Sequence, residues 1–184
     1  MFATTIGEFT VRCHPDALPS IYDSYSKRAR LSEQFDLDVV ERGVCFVGVE
    51  RGGRDWPFLV VALRYSGAAG GMHPGALIVP ETETLFLGAG ERLLAYDLRG
   101  PRRLWEERTD VGFWGWDRQA DVVLMSAELE LVAYDIHARR RWAVYVEPPW
   151  GYSVVGDTLT LDVMGKESSF SLREGPGESR APVT

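Results

Sequence analysis

One phrase occurs twice in this chain, and the repetition limits the possible folds more than any other feature. Leu93 to Trp105 is LLAYDLRGPRRLW, and Leu131 to Trp142 is LVAYDIHARRRW. A weaker third copy runs from Leu159 to Leu172, with Phe170 at the position of the two tyrosines. A spacing of roughly 38 residues between copies is typical of proteins built from small repeated supersecondary units.

The alternation of side chains inside the phrase predicts β-strands that are buried on both faces. In a strand, Leu94 and Tyr96 point to one face while Leu93 and Ala95 point to the other. Both faces are then apolar, as a sheet stacked between two other sheets requires. The 19 glycines, 10 prolines and many aromatic residues favour numerous short strands joined by turns. We therefore predict an all-β fold.

The polar and aromatic residues of the phrase have structural roles in this interpretation. Asp97 and Asp135 stand at strand ends, where a short carboxylate can accept hydrogen bonds from backbone N–H groups of the following turn. Trp105 and Trp142 can each bury a large area, on the order of 200 Å² for an indole, and would anchor one sheet to the next.

The same residues resemble a known family. The pattern Ala-x-Asp, a turn, and then Trp about ten positions after the alanine is similar to the blade motif of quinoprotein-type and WD-type β-propellers. In those propellers the tryptophan packs between neighbouring blades. The residues that match are Ala95, Asp97, Gly100 and Trp105, followed by Ala133, Asp135 and Trp142.

The resemblance implies propeller-like antiparallel blades over roughly residues 82 to 172. The chain is too short for a ring of six to eight blades, so we expect a small or open array of up to four, with a twisted β-sandwich as the alternative. A closed four-bladed ring would require the strand from Gly7 to Cys13 to complete the last blade.

We predict a single all-β domain over residues 1–173, with repeat units at 82–119, 120–157 and 158–173. The final stretch 174–184, EGPGESRAPVT, is polar and rich in proline and glycine, which predicts a disordered tail.

Outside the repeats, turn formers separate shorter apolar runs. The segment 14–32 has no clean period and is predicted to be a long loop, with a helical turn near Ser20 to Tyr25 as an option. The glycine-rich stretch Ser66–Gly75 is predicted to be a flexible loop. Leu37–Val40 is predicted to be a strand, and Gly52–Asp55 a turn.

Charge and cysteine content restrict partners and location. The formal net charge of −7 argues against nucleic acid or an anionic membrane as the main partner, because both attract basic surfaces. The start of the sequence has no signal-peptide pattern and no stretch is apolar enough to span a bilayer, so we expect a cytoplasmic protein. Cys13 and Cys45 lie in apolar strand-like contexts and are predicted to be buried free thiols.

No motif predicts a catalytic site, a metal site or a cofactor. His14, His73 and His137 lie in loops or turns, and none has the ligand spacing of a zinc site or the partners of a hydrolytic triad. Gly88 to Glu91 has glycines but no lysine, so it is interpreted as a hairpin turn rather than a nucleotide loop.

Two similar aromatic segments are the strongest candidates for a binding site. They are GFWGWD from Gly112 to Asp117 and PPWGY from Pro148 to Tyr152, and both are expected to join successive repeat units by sharp turns at glycine. They could either fill the core between sheets or form a partly exposed aromatic surface. The candidate binding residues are Trp114, Trp116, Asp117, Glu147, Trp150 and Tyr152.

The sequence favours a non-catalytic binding or scaffold protein that uses its inter-blade loops and exposed aromatic residues. Its partner would be a protein or a small polar ligand. The alternative is a carboxylate-dependent hydrolase that acts on a saccharide at the same surface. That alternative requires two acidic side chains facing each other about 5 to 9 Å apart in a pocket lined by Trp114 or Trp150.

Overall fold

The computed structural model describes residues 2–38, 43–53, 56–65 and 73–177. The described part contains sixteen strands and one helix. The strands are β1 Phe2–Ile6, β2 Phe9–His14, β3 Leu31–Phe35, β4 Gly43–Arg51, β5 Leu59–Tyr65, β6 Gly75–Val79, β7 Thr84–Ala89, β8 Arg92–Asp97, β9 Arg102–Arg108, β10 Phe113–Gln119, β11 Val122–Ala127, β12 Glu130–Asp135, β13 Arg140–Tyr145, β14 Trp150–Val155, β15 Thr158–Val163 and β16 Lys166–Ser171; the helix is α1, Tyr22–Arg28.

The fold is all-β, as predicted, and the chain divides into two compact units, Met1–Phe113 and Trp114–Thr184. The first unit holds a five-stranded sheet in the order β1-β2-β4-β5-β3 and a four-stranded sheet in the order β6-β7-β8-β9. The second unit holds a four-stranded sheet in the order β10-β11-β12-β13 and a three-stranded sheet in the order β14-β15-β16. The single helix in the described residues is too short to cross a membrane.

The repeated phrase folds in the same way each time. Ala95 faces Trp105 across the β8–β9 pair and Ala133 faces Trp142 across the β12–β13 pair, and in both the register shifts at the following tyrosine. Each sheet begins one strand earlier than the predicted units 82–119 and 120–157, because β6 and β10 pair with the strands that follow them.

The third copy pairs its two strands, β15 and β16, in the same register as β11 and β12. Leu159 pairs with Phe170 just as Val123 pairs with Tyr134, so Phe170 occupies the tyrosine position.

The two aspartates cap their turns as predicted. Asp97 accepts a hydrogen bond from the backbone N–H of Arg99 at 3.0 Å. Asp135 accepts two, from the N–H groups of His137 and Arg139, at 2.8 and 2.9 Å. The prediction that these carboxylates organise the turns is confirmed.

The core of the first unit lies between its two sheets. Phe9, Val49 and Leu59 from the five-stranded sheet meet Leu85 and Tyr96 from the four-stranded sheet. The far face of the five-stranded sheet is covered by α1 and the loop before it, through contacts that include Tyr22 on Phe46.

The predicted loop over 14–32 contains α1, which overlaps the helical turn considered near Ser20 to Tyr25. Strand β3 begins at the last two residues of that segment. It is the one strand in the described residues that pairs in parallel, running beside β5 from Leu31 opposite Leu59 to Phe35 opposite Leu63. Its polar Glu33 has a specific partner, because the hydroxyl of the buried Tyr96 donates to Glu33 Oε2 at 2.7 Å. Polar side chains satisfied by tertiary contacts explain why the local pattern gave no strand signal.

Strand β2, expected to complete the last blade of a closed ring, is paired along both of its edges. It pairs with β1 on one edge and with β4 on the other, so neither edge can complete the sheet of β14–β16.

The outer face of that three-stranded sheet is polar. Ser153, Thr160 and Ser169 lie side by side across it, and the Thr160 and Ser169 hydroxyls are 3.0 Å apart.

The end of the second unit is held by glycine and tryptophan. Gly175 has a left-handed φ of +79° and bridges to Ser171, and a Cβ added to it would overlap Cγ of Trp142. Trp142 in turn packs edge-on against Phe170 and donates from Nε1 to the carbonyl of Leu172 at 2.8 Å. Gly175 belongs to the stretch 174–184 for which disorder is predicted, and it is buried; residues 178–184 lie outside the described residues.

Gly175→Ala should lower the free energy of unfolding by about 2 to 4 kcal/mol, because the new Cβ meets both a left-handed backbone and the Trp142 ring. Urea unfolding followed by tryptophan fluorescence measures the change. Gly177→Ala is the matched control, since a Cβ there has open space. The control should stay within about 0.5 kcal/mol of the wild type. Equal unfolding midpoints for the two variants would contradict this packing.

The two cysteines are free, buried and adjacent, with their Sγ atoms 3.9 Å apart. The neighbouring Cys13 thiol and burial in the sheet core raise the pKa of Cys45. Only a thiolate reacts readily with a disulfide reagent, and this one is both protonated and inaccessible.

A thiol-reactive disulfide should therefore modify the native protein slowly, and both thiols should react promptly once guanidinium chloride has unfolded it. Absorbance of the released thiol measures the two rates. Prompt reaction of both cysteines in the native protein would be inconsistent with the buried pair.

Most of the predicted glycine-rich loop Ser66–Gly75 lies outside the described residues. Of the predicted strand Leu37–Val40 only Leu37 and Asp38 are described, and they form a turn. Gly52 and Gly53 form the turn expected after β4, with φ of +64° and +67°.

Candidate aromatic binding surface

Strands, and not turns, carry the two aromatic segments. Trp114 to Asp117 lie inside β10, and Trp150 to Tyr152 lie inside β14. Gly115 and Gly151 have no left-handed backbone angle, and a Cβ on either would meet no atom within 4 Å. The expectation that glycine turns the chain sharply here is therefore wrong. Glycine in a strand interior weakens the strand signal, so the local pattern favours a turn where the structure has a strand.

Four of the six candidate residues form one continuous row in the second unit. The Trp114 and Trp150 rings are stacked with centroids 5.2 Å apart and an interplanar angle of 15°. Trp150 is stacked on Tyr152 at 6.4 Å and 22°. The row ends at Asp117, whose Oδ2 accepts a hydrogen bond from the Tyr152 hydroxyl at 3.1 Å. β10 and β14, which belong to different sheets, are joined by this row.

Hydrogen bonds orient Trp150 and Asp117 in the row, whereas Trp114 at its end is partly exposed to solvent. Trp150 donates from Nε1 to the carbonyl of Glu128 at 2.9 Å, so its indole is anchored by a directed bond. Gln119 donates a second hydrogen bond to Asp117 Oδ2 at 2.9 Å. Trp114 is 44% exposed, and its stacked neighbour covers only one face of its ring.

Trp116 and Glu147 lie apart from the row. Adjacent residues of a strand point to opposite faces, so Trp116 points away from Asp117. Trp116 packs against the buried Tyr134, with ring centroids 6.1 Å apart. Glu147 is exposed in the connection between β13 and β14. The two alternatives for the aromatic segments thus apply to different residues: Trp116 contacts the core and Trp114 faces solvent.

One further exposed apolar residue lies beside Trp150. Met164 donates its backbone N–H to the carbonyl of Pro149 at 2.9 Å, next to Trp150, and its side chain is 62% exposed. We call the surface formed by Trp114, Pro149, Trp150 and Met164 the aromatic end. Sequence reasoning missed Met164, because nothing local shows which strand ends meet.

The opposite end of the unit is occupied by ion pairs. Arg173 reaches Asp121 at 2.9 Å and Asp157 at 3.2 Å, and Arg141 also reaches Asp121 at 3.2 Å. Hydrogen bonding to the Arg173 guanidinium lowers the pKa of Asp121. The second unit is therefore polarised, with balanced charges at one end and exposed aromatic surface at the other.

The two candidate carboxylates, Asp117 and Glu147, have different surroundings. Asp117 has its Oδ2 engaged by Tyr152 and Gln119, and Glu147 is exposed. Among the described residues, no group of three or more His, Cys, Asp or Glu side chains is placed to hold a metal ion.

Comparisons with known proteins give distant structural similarity only. No protein-family model matches the sequence, and no curated protein matches it. Among solved structures, Saccharomyces cerevisiae Sqt1 is 10% identical over 70% of this chain and 41% of its own, with a TM-score of 0.45. BamB from Moraxella catarrhalis is 13% identical over 78% and 50%, with a TM-score of 0.43. KlHsv2 with its loop 6CD replaced by a Gly-Ser linker is 9% identical over 53% and 34%, with a TM-score of 0.31. This chain covers half or less of each of these structures.

The Tyr152–Asp117 bond makes the row sensitive to high pH. Burial, with the nearby Asp117 carboxylate, raises the pKa of Tyr152 to about 12. The protonated phenol is therefore favoured in the folded state. Its stabilising contribution is complete below the ordinary tyrosine pKa of about 10 and is lost as the pH rises toward 12.

Absorbance titration of tyrosinate should show one phenol near pH 12 that is missing in Tyr152→Phe. Asp117→Asn should lower the pKa of Tyr152, because it removes a negative charge beside the hydroxyl. Glu147→Gln is the matched carboxylate control and should leave that pKa unchanged. A Tyr152 pKa that stays the same in Asp117→Asn would contradict the bond.

Proposed function

We propose that this protein is a non-catalytic binding protein that acts in the cytoplasm and holds a protein partner at the aromatic end. The observation that carries the proposal is the stacked row Trp114–Trp150–Tyr152, fixed at its base and exposed at its tip. Tryptophan and tyrosine dominate the energetic centres of protein interfaces, where they contribute large contact areas with few freely rotating bonds.

The anchored base of the row supports binding because it reduces the entropy lost on association. The hydrogen bond from Trp150 to Glu128 and the bond from Tyr152 to Asp117 hold both rings in one orientation. Trp114 is oriented by stacking on Trp150. A partner therefore meets a surface that is already ordered, so little rotamer freedom is lost when the complex forms.

The charges around the aromatic end indicate the chemistry of the partner. Glu128 and Glu147 adjoin the surface along the chain, and neither forms an ion pair with a residue that the structure describes. An interface of this kind has an apolar centre and an acidic rim. Its complement is a protein surface with an apolar centre and lysine or arginine at its rim, and the charges would accelerate association at low salt.

Affinity capture followed by mass spectrometry tests the proposal. Proteins retained by the wild type should be lost with Trp114→Ala, because truncating a central aromatic typically weakens binding by about 2 kcal/mol or more. Val155→Ala is the matched control: Val155 is 79% exposed at the other end of β14 and should retain the same proteins. Circular dichroism of each variant establishes that it is folded.

A protein that the wild type retains and Trp114→Ala loses is then purified, and its direct binding is measured. Its dissociation constant for the wild type should rise about tenfold or more with Trp114→Ala, and its association rate should fall with added salt and with the Glu128→Gln, Glu147→Gln double variant. Loss of the same proteins with Val155→Ala, or an association rate indifferent to salt, would contradict the proposed surface.

A further inference from the structure

The first unit contains an open cleft of about 890 Å³ that the aromatic end does not involve. Its lining combines three arginines and one glutamate with an apolar wall made of Trp56, Pro57 and Phe58. A volume in this range accommodates a small organic molecule.

One of the three arginines is committed to the structure of the unit. Arg51 forms an ion pair with Glu83 and lies 3.5 Å from Glu8. Its guanidinium also lies over the ring of Phe9, 4.8 Å from the centroid. Arg51 and Glu8 therefore balance each other at one wall of the cleft.

Arg28 and Arg30 have no acidic partner among the described residues. Arg28, in the last turn of α1, and Arg30, just before β3, are exposed, and neither makes an ion pair with a residue in the described part of the chain. The backbone N–H of Arg30 donates to the carbonyl of Phe58 at 2.8 Å, which holds this residue against the apolar wall. As far as the described residues extend, these two positive charges of the cleft are not neutralised.

Stacking on an aromatic ring orients the guanidinium of Arg28 in a way that suits the binding of an anion. Its guanidinium lies over the Trp56 ring, 3.9 Å from the centroid. Such stacking uses the face of the guanidinium and leaves the N–H donors around its edge available for hydrogen bonds. Trp56 is itself positioned by an edge contact with Tyr25 at 5.4 Å.

We propose that this cleft binds a small organic anion. Its phosphate or carboxylate group is held by Arg28 and Arg30, whose planar donor forks match both groups. A flat apolar body attached to that group lies along Trp56, Pro57 and Phe58. An inorganic anion would use only the arginines, and an uncharged aromatic molecule only the apolar wall.

Four probes separate these contributions: naphthyl phosphate, naphthylacetate, naphthylethanol and inorganic phosphate. Calorimetry or ligand-observed NMR on the whole chain gives their dissociation constants. At least one of the two naphthyl anions should bind about tenfold or more tightly than either naphthylethanol or inorganic phosphate, because only the anions satisfy both parts of the cleft. The tighter of the two naphthyl anions identifies the head group.

Three variants locate the binding. Arg28→Gln and Arg30→Gln should each weaken the preferred naphthyl anion about tenfold, since each removes a charge-assisted hydrogen bond. Lys27→Gln makes the same change of net charge one residue from Arg28, outside the cleft, and should alter binding by less than about twofold. Circular dichroism checks that all three variants are folded.

Two results would overturn the proposal. One is that neither naphthyl anion binds more tightly than naphthylethanol. The other is that Lys27→Gln weakens binding as much as the two arginine variants, since the effect would then be general electrostatic attraction and not this cleft.

Discussion

The burial of both faces of the repeated strands is the constraint on which the rest of this structure depends. In β8 the side chains of Leu93, Leu94, Ala95 and Tyr96 point alternately to opposite faces, and all four are at most 1% exposed. Each large apolar side chain that is removed from water contributes about 1.5 to 3 kcal/mol, so a sheet made of such strands is stable only with a partner on each side. Stacked layers follow from this requirement.

A sheet face that is not packed against another sheet needs a different solution, and each unit shows one. The far face of the five-stranded sheet is covered by α1 through contacts such as Tyr22 on Phe46. The outer face of the β14–β16 sheet needs no cover, because Ser153, Thr160 and Ser169 occupy it. The glycine and tryptophan contact at Gly175 secures the same sheet, and Trp142 connects it to the sheet before it.

Both proposed binding surfaces lie where the regular packing stops. Inside the layers, aromatic rings have neighbours on every side. At the aromatic end the last ring of the row, Trp114, has one face covered and is 44% exposed. In the first unit, Arg28 and Arg30 stand where α1 ends and β3 begins, beside an indole that orients one of them. In each case the packed interior orients side chains that remain exposed to solvent.

Local patterns predicted the parts of the fold that local patterns control. The strands of the repeats, the Asp97 and Asp135 turns and the place of Phe170 were all found from spacing and alternation, since each depends on residues close in sequence. The strands β1, β3, β10 and β14 are not predicted by these patterns. β3 is polar because Glu33 bonds to Tyr96 on a distant strand, and β10 and β14 contain glycines that weaken the strand signal.

The candidate site shows the same division. Its aromatic residues could be chosen from sequence, because two similar segments at similar spacing are visible in one chain. Their different environments could not, because adjacent residues such as Trp116 and Asp117 face opposite sides of one strand and only the packing of sheets decides which side is covered. The sequence by itself therefore determined that this chain forms repeated, doubly buried β-hairpins with capped turns. Only the tertiary structure decided that Trp114 meets solvent, that Asp117 meets Tyr152 and that two arginines share a cleft with Trp56, because each of these results depends on contacts between residues far apart in the chain.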